Sequence, residues 1–124
     1  FSSIYNIKYF KMTKEVNKIL ENMNCVILAS KREGMPRSLL EASALGLPII
    51  ASNVEGCRHL IKDKENGYLF NFLDSSDLAK KIIYFSKLNN NQKLKIILNA
   101  RNNVEKNYDV SNIIQIYNNA LLKL

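Results

Sequence analysis

The sequence predicts an α/β domain built on a Rossmann-like parallel sheet with flanking helices. Three observations carry that reading. Cys25-Val26-Ile27-Leu28-Ala29 and Pro48-Ile49-Ile50-Ala51-Ser52 are continuous apolar runs of strand length, the pattern of strands covered on both faces of a parallel sheet. Segments with apolar residues at helical spacing lie between and after them. Strands that alternate with helices are joined by crossovers, which keep them parallel. At 124 residues and 47% apolar content the chain has room for one core, so residues 1–124 are read as one domain.

Taken in order, Ile7, Tyr9 and Phe10 form a β-prone stretch, and a first strand is expected from Ile7 to Lys11. Thr13 can cap a helix whose apolar positions are Val16, Ile19, Leu20 and Met23. After the Cys25 to Ala29 strand comes the polar loop Ser30-Lys31-Arg32-Glu33-Gly34. Pro36 suits the first turn of the helix through Leu39, Leu40, Glu41, Ala42 and Ala44, and Gly46 suits its end. The Pro48 to Ser52 strand follows, then a short helix from Glu55 to Ile61. Lys62 to Gly67 reads as a turn into a small strand at Tyr68-Leu69-Phe70. From Ser75 onward the pattern is helical: Leu78, Ile82 and Phe85, then Leu94, Ile97 and Leu98, then Ile113, Ile116, Tyr117 and Ala120, with Asp109 or Ser111 as the last cap.

The net charge of +7, from 18 Lys plus Arg against 11 Asp plus Glu, favours anionic partners without naming one. The lysines are scattered and not interleaved with aromatics, which argues against nucleic acid. Loose contact with an anionic membrane surface is a better use of the charge. Cys25 and Cys57 form no Cys-x-x-Cys pair and have no histidines at ligand spacing, so a reducing cytoplasm is the expected setting. No apolar run approaches the roughly 20 residues that span a bilayer, and no signal segment opens the chain. A start at Phe1 is what a boundary inside a larger gene product would give.

The informative segment runs from Glu33 to Pro48 and sets two carboxylates, Glu33 and Glu41, eight positions apart across a junction of strand, loop and helix. In α/β sheets this junction is where ligands bind. The helix is apolar nearly all round, so Glu41 is expected in surroundings where an unpaired carboxylate is costly. Arg37, one turn earlier, could pair with it, and so could the hydroxyls of a ligand. Glu33 would by itself complement the helix dipole. Both features stand at a helix N-terminus, where free amides can hold a diphosphate.

Glu33-x7-Glu41, with Leu39-Leu40-Glu41-Ala42, Gly46-x-Pro48, Ile49-Ile50-Ala51-Ser52-Asn53-x-x-Gly56 and Asn66-Gly67-Tyr68-Leu69 in that order, resembles the retaining glycosyltransferases of the two-domain GT-B fold, family 4 type. The resemblance runs from about Tyr5 to the end. It implies the C-terminal, donor-binding part of a longer two-domain enzyme, inactive as an isolated piece. It further implies transfer of a hexose, with retention, from a nucleotide-sugar, expected to be a UDP-sugar, to a hydroxyl in surface polysaccharide or lipid-linked glycan synthesis. Glu33 would be the catalytic residue beside the donor sugar, and Glu41 would hold the ribose. The amides of Gly34, Met35, Arg37 and Ser38 would face the sugar and diphosphate. Pro36 stands where relatives often have glycine and has no N–H to donate. The family's basic pair and its acceptor domain would lie upstream of Phe1.

No cofactor and no metal are expected, because Asp74-Ser-Ser-Asp77 lacks the Asp-x-Asp spacing and sits where a helix cap would. His59 stands where the family has an acidic residue and is given no role. The resemblance places the enzyme in the cytoplasm, where it could touch the inner face of the membrane. The competing reading is a non-catalytic nucleotide-binding or scaffold module. A nucleotide-sugar epimerase would need an acid and base pair that the sequence does not offer.

Overall fold

The computed structural model describes residues 7–122. Three parallel strands, β1 (Val26–Leu28), β2 (Ile49–Ser52) and β3 (Tyr68–Phe70), lie in that order, with Val26 opposite Ile49 and Ile50 opposite Tyr68. Around them are α1 (Val16–Leu20), α2 (Arg37–Ala44), α3 (Glu55–Leu60), α4 (Ser75–Ser86), α5 (Asn90–Tyr108) and α6 (Val110–Leu121). The parallel α/β sheet with flanking helices is as the sequence predicts.

Alternation along β2 divides the core. Ile49 and Ala51 pack with Leu39, Ala42, Cys57, Leu60 and Ile61, and Val26, Leu28 and Leu69 close against them. Ile50 points the other way, toward Tyr68, Phe70, Phe85 and Ile96. That second face is covered over β2 and β3 by α4, while Ile27 of β1 is 45% exposed. The expectation that both central strands are covered on both faces therefore holds for β2 and fails for β1.

The strand expected from Ile7 to Lys11 is absent, and residues 7–11 are irregular and exposed. A parallel strand is held by a neighbour's ladder and by burial of its side chains. Here Tyr9 is 85% exposed and Phe10 52%, so neither condition is met. Thr13 does not cap α1 as expected. Its Oγ1 instead accepts the Glu15 N–H at 3.1 Å, and α1 stops short of Met23, where the Asn22 side chain donates to the Lys18 carbonyl at 2.9 Å.

Local chemistry explains the remaining ends. Gly46, at φ +72°, closes α2: its N–H donates to the Ser43 carbonyl at 3.1 Å and the Leu47 N–H to the Ala42 carbonyl at 2.9 Å. Asp74 caps α4 by accepting the Asp77 N–H at 2.8 Å, and Asp109 caps α6 by accepting the Ser111 N–H at 2.8 Å. Asn89 and Gln92 form a reciprocal capping box on α5, which runs as one helix of 19 residues. Helix α6 packs on α5 and has no buried residue. Cys25 and Cys57 are free thiols, and burial pushes Cys25 up to about 11, so it stays neutral at ordinary pH.

The turn into β3 hangs on Asn66, a buried side chain whose Oδ1 accepts the Lys62 N–H at 2.7 Å while its Nδ2 donates to the Leu60 carbonyl at 3.0 Å. Asn103 also donates to that carbonyl, at 3.2 Å, so loss of Asn66 orphans mainly the Lys62 N–H. Asn66→Ala is expected to cost about 2 kcal/mol, seen as a lower urea midpoint at unchanged slope.

Candidate functional site

Because the strands are parallel, the loops that follow β1 and β2 leave the same edge of the sheet. Ser52, the last and fully buried residue of β2, ties them together: its Oγ donates to the Ser30 carbonyl at 2.7 Å and accepts the Ser30 N–H at 3.2 Å. The β1 loop then rests on α3 at Gly56. A Cβ built there would lie 2.2 Å from the Gly34 carbonyl oxygen and 2.3 Å from that of Glu33, so only a hydrogen at this position lets the loop seat. Arg58, further along α3, donates to the Asn53 carbonyl at 3.0 Å and to its side-chain oxygen at 3.2 Å, which fixes the β2 loop.

Between the two loops lies a cleft of about 610 Å³. Lys31, Arg32, Glu33 and Gly34 line it from the β1 side, and Val54, Glu55 and Arg58 from the β2 side. Three cations against two carboxylates make it suited to a polyanion. The Glu33 carboxylate is half-buried and has no hydrogen-bond or ion-pair partner among the described residues. Its charge reaches Cys57 beneath it: burial pushes that thiol up, Glu33 adds to the effect, and the Ser52 hydroxyl and Arg58 oppose it.

Helix α2 begins beside this cleft. Pro36 is its N-cap, without a side-chain cap, and its carbonyl accepts the Leu39 and Leu40 N–H groups at 3.0 and 3.3 Å. The amides of Gly34, Met35, Arg37 and Ser38 donate to no acceptor among the described residues. Four free donors thus fall within five residues at the start of a helix, an arrangement that attracts anions.

One expectation is overturned here. Helix α2 is not buried all round: Leu39, Ala42 and Ser43 form its inner stripe, and Arg37, Ser38 and Glu41 are exposed. Ala44 and Leu45 also face outward, so apolar composition overstated the burial. Glu41 is therefore open to solvent, and among the described residues it makes no ion pair with Arg37. Of the sequence candidates, Glu33 and Gly34 line the cleft, whereas Met35, Arg37, Ser38 and Glu41 follow on the adjoining segment. Lys31, Arg32, Glu55, Arg58 and the Ser52 tie were not singled out by the sequence reading.

The other polar candidates have structural work. Asp74 is a cap, Asp77 accepts the Asn71 N–H at 2.8 Å, and the exposed His59 offers its carbonyl to the Tyr108 hydroxyl at 3.4 Å. Among the described residues no three His, Cys, Asp or Glu side chains converge as a metal site would require, and no helix is long and apolar enough to cross a membrane.

Residues 5–103 match the family described as glycosyl transferases group 1. The chain belongs to this family. This group 1 glycosyl transferase chain is 33% identical over 113 residues to the N,N'-diacetylbacillosaminyl-diphospho-undecaprenol alpha-1,3-N-acetylgalactosaminyltransferase of Campylobacter jejuni, covering 90% of this chain and 29% of that protein. It is 28% identical over 106 residues to the colanic acid biosynthesis glycosyltransferase WcaL of Escherichia coli K12, covering 81% of this chain and 26% of the relative. Its fold superposes on HepE of Anabaena, solved in complex with UDP-glucose, with a TM-score of 0.86 at 24% identity over 98% of this chain and 33% of the other. The group 1 chain thus spans under a third of the length of these curated relatives.

Proposed function

We propose that this chain is the donor-binding domain of a two-domain retaining transferase that moves a sugar from a nucleoside diphosphate, UDP, to an acceptor hydroxyl in surface polysaccharide or lipid-linked glycan synthesis. The observation that carries the reading is the loop from Glu33 to Ser38, which is seated on Gly56 at the carboxyl edge of the sheet and presents four free amides beside an unpartnered carboxylate. Family membership supports it. So do the relatives named for undecaprenol-linked and colanic acid synthesis and the UDP-glucose complex of a protein with the same fold.

In this reading the amides of Gly34, Met35, Arg37 and Ser38 meet the diphosphate and the donor sugar. Arg58, Lys31 and Arg32 offset the charge that builds on the leaving group. Glu33 accepts hydrogen bonds from the sugar hydroxyls, and the exposed Glu41 takes the two ribose hydroxyls. The acceptor oxygen attacks the anomeric carbon from the face that the diphosphate leaves. The anomeric carbon–oxygen bond breaks with its electron pair going to the phosphate, and that phosphate oxygen takes the acceptor's proton. The acceptor would be held by a second domain, and the excess of lysine would hold the enzyme loosely at an anionic membrane.

Amide-resolved NMR titration of this chain with UDP and a panel of UDP-sugars tests the reading. Saturable shifts confined to Gly34 through Ser38, Glu41 and Arg58 are expected, with a dissociation constant of about 1 mM, equivalent to roughly 4 kcal/mol. Absence of any shift there at saturating nucleotide would leave the scaffold reading in its place.

A further inference from the structure

Asn53 is the first residue after β2, and its backbone is still held by the sheet: its N–H donates to the Phe70 carbonyl at 2.7 Å, at the end of β3. Arg58 is held from its own side, because its N–H donates to the Val54 carbonyl at 3.0 Å and the preceding Cys57 is fully buried. Across this short span the Arg58 Nη1 reaches two oxygens of one residue, the Asn53 carbonyl at 3.0 Å and the Asn53 Oδ1 at 3.2 Å. Two acceptors on a single nitrogen, both on one anchored residue, orient the planar guanidinium as well as place it. Arginine otherwise has a long side chain with many rotamers, and ordering it is a cost that binding has to overcome.

The other edge of the guanidinium is free. Among the described residues Nε and Nη2 donate to no acceptor, and no carboxylate lies within ion-pair distance of Arg58. That edge carries two parallel N–H groups, the fork that matches two oxygens of a phosphate. The side chain lines the cleft together with Lys31, Arg32 and Glu33. Burial, then Glu33, raise the Cys57 thiol, and the Ser52 hydroxyl and Arg58 lower it, so carboxylate and guanidinium both act on the group beneath the cleft. Asn53 is neutral and holds the arginine without cancelling its charge, which an aspartate there would do.

We propose that Asn53 is a positioning residue for the donor cleft, a role that rests on the donor reading: it occupies Arg58 Nη1 and so turns the Nε and Nη2 edge to the diphosphate of the nucleotide-sugar. Asn53 touches no substrate in this arrangement and acts through Arg58 alone.

UDP titrated into the chain tests this, with the Arg58 Nε–H signal followed by proton–nitrogen NMR beside the backbone amides. In the parent that signal should shift and saturate together with the amides of Gly34 to Ser38. Asn53→Ala removes one of the two acceptors and should weaken UDP by about two- to tenfold, the cost of ordering one long side chain. Arg58→Ala should weaken it by at least as much. The deciding readout is the combination: Asn53→Ala should add nothing once Arg58 is gone, because a residue that acts through another has no effect in its absence. A merely structural role for Asn53 would weaken UDP equally in both backgrounds. Urea midpoints confirm that each variant is folded, and should Asn53→Ala not fold, the Arg58 signal of the parent still decides. A UDP response at Gly34 to Ser38 with a silent Arg58 signal overturns the proposal and leaves the donor reading standing. So does an Asn53→Ala protein that binds UDP as tightly as the parent, or one that loses affinity equally in both backgrounds. No response anywhere overturns both.

Discussion

Gly56→Ala is expected to destabilise the protein by about 3 kcal/mol and to abolish nucleotide binding. The added Cβ would stand 2.2 Å from the Gly34 carbonyl oxygen, 2.3 Å from that of Glu33 and 2.6 Å from the Glu33 carbonyl carbon. All three are backbone atoms, so no side-chain rotation relieves the overlap. Either α3 retreats from the core, where Cys57 and Leu60 are fixed with almost no exposure, or the Glu33 loop lifts away. Gly34→Ala is the control, because nothing lies within 4 Å of its Cβ position; it should change stability by less than about 0.5 kcal/mol. Urea unfolding of the two variants decides the matter. Equal midpoints would mean that the loop is not seated on α3.

What the sequence made legible is what neighbouring residues determine. Two continuous apolar runs contain β1 and β2, the helical spacing after Ser75 announces α4, and Asp74 and Asp109 sit where their caps are needed. The expected first strand failed because its ladder depends on a partner that β-prone residues cannot specify alone. Glu41 was misjudged for a related reason: counting apolar residues around α2 does not say which of them face the core, and Ala44 and Leu45 face solvent. The Ser52 to Ser30 tie joins positions 22 residues apart, and the contact of Gly56 with Gly34 spans a similar separation. Nothing local marks such pairs. Gly56 could be placed in a motif from the sequence, but the reason for a glycine there appears only once the two loops meet.

The remaining prediction separates the two glutamates, and it is to be measured in the complete two-domain enzyme that the proposed function requires. Glu33 lines the cleft, half-buried, with no protein partner among the described residues, so its carboxylate is available to the sugar being transferred. Positive charge develops on that ring in the transition state, and the interaction is therefore stronger there than in the ground state. Glu33→Gln should lower kcat as well as kcat/KM. Loss of a hydrogen bond to a charged group, about 1.5–3 kcal/mol, corresponds to roughly ten- to a hundredfold in rate. Glu41 is exposed on α2 and is assigned to the ribose, which the reaction leaves unchanged. Glu41→Gln should raise KM by a similar factor and leave kcat nearly as it was. Among the described residues neither carboxylate makes a hydrogen bond or ion pair that the substitution would break, so both variants should unfold at the parent's urea midpoint. Steady-state kinetics then discriminates: full activity in a folded Glu33→Gln enzyme would remove Glu33 from the chemistry, and a fall in kcat confined to Glu41→Gln would reverse the two roles.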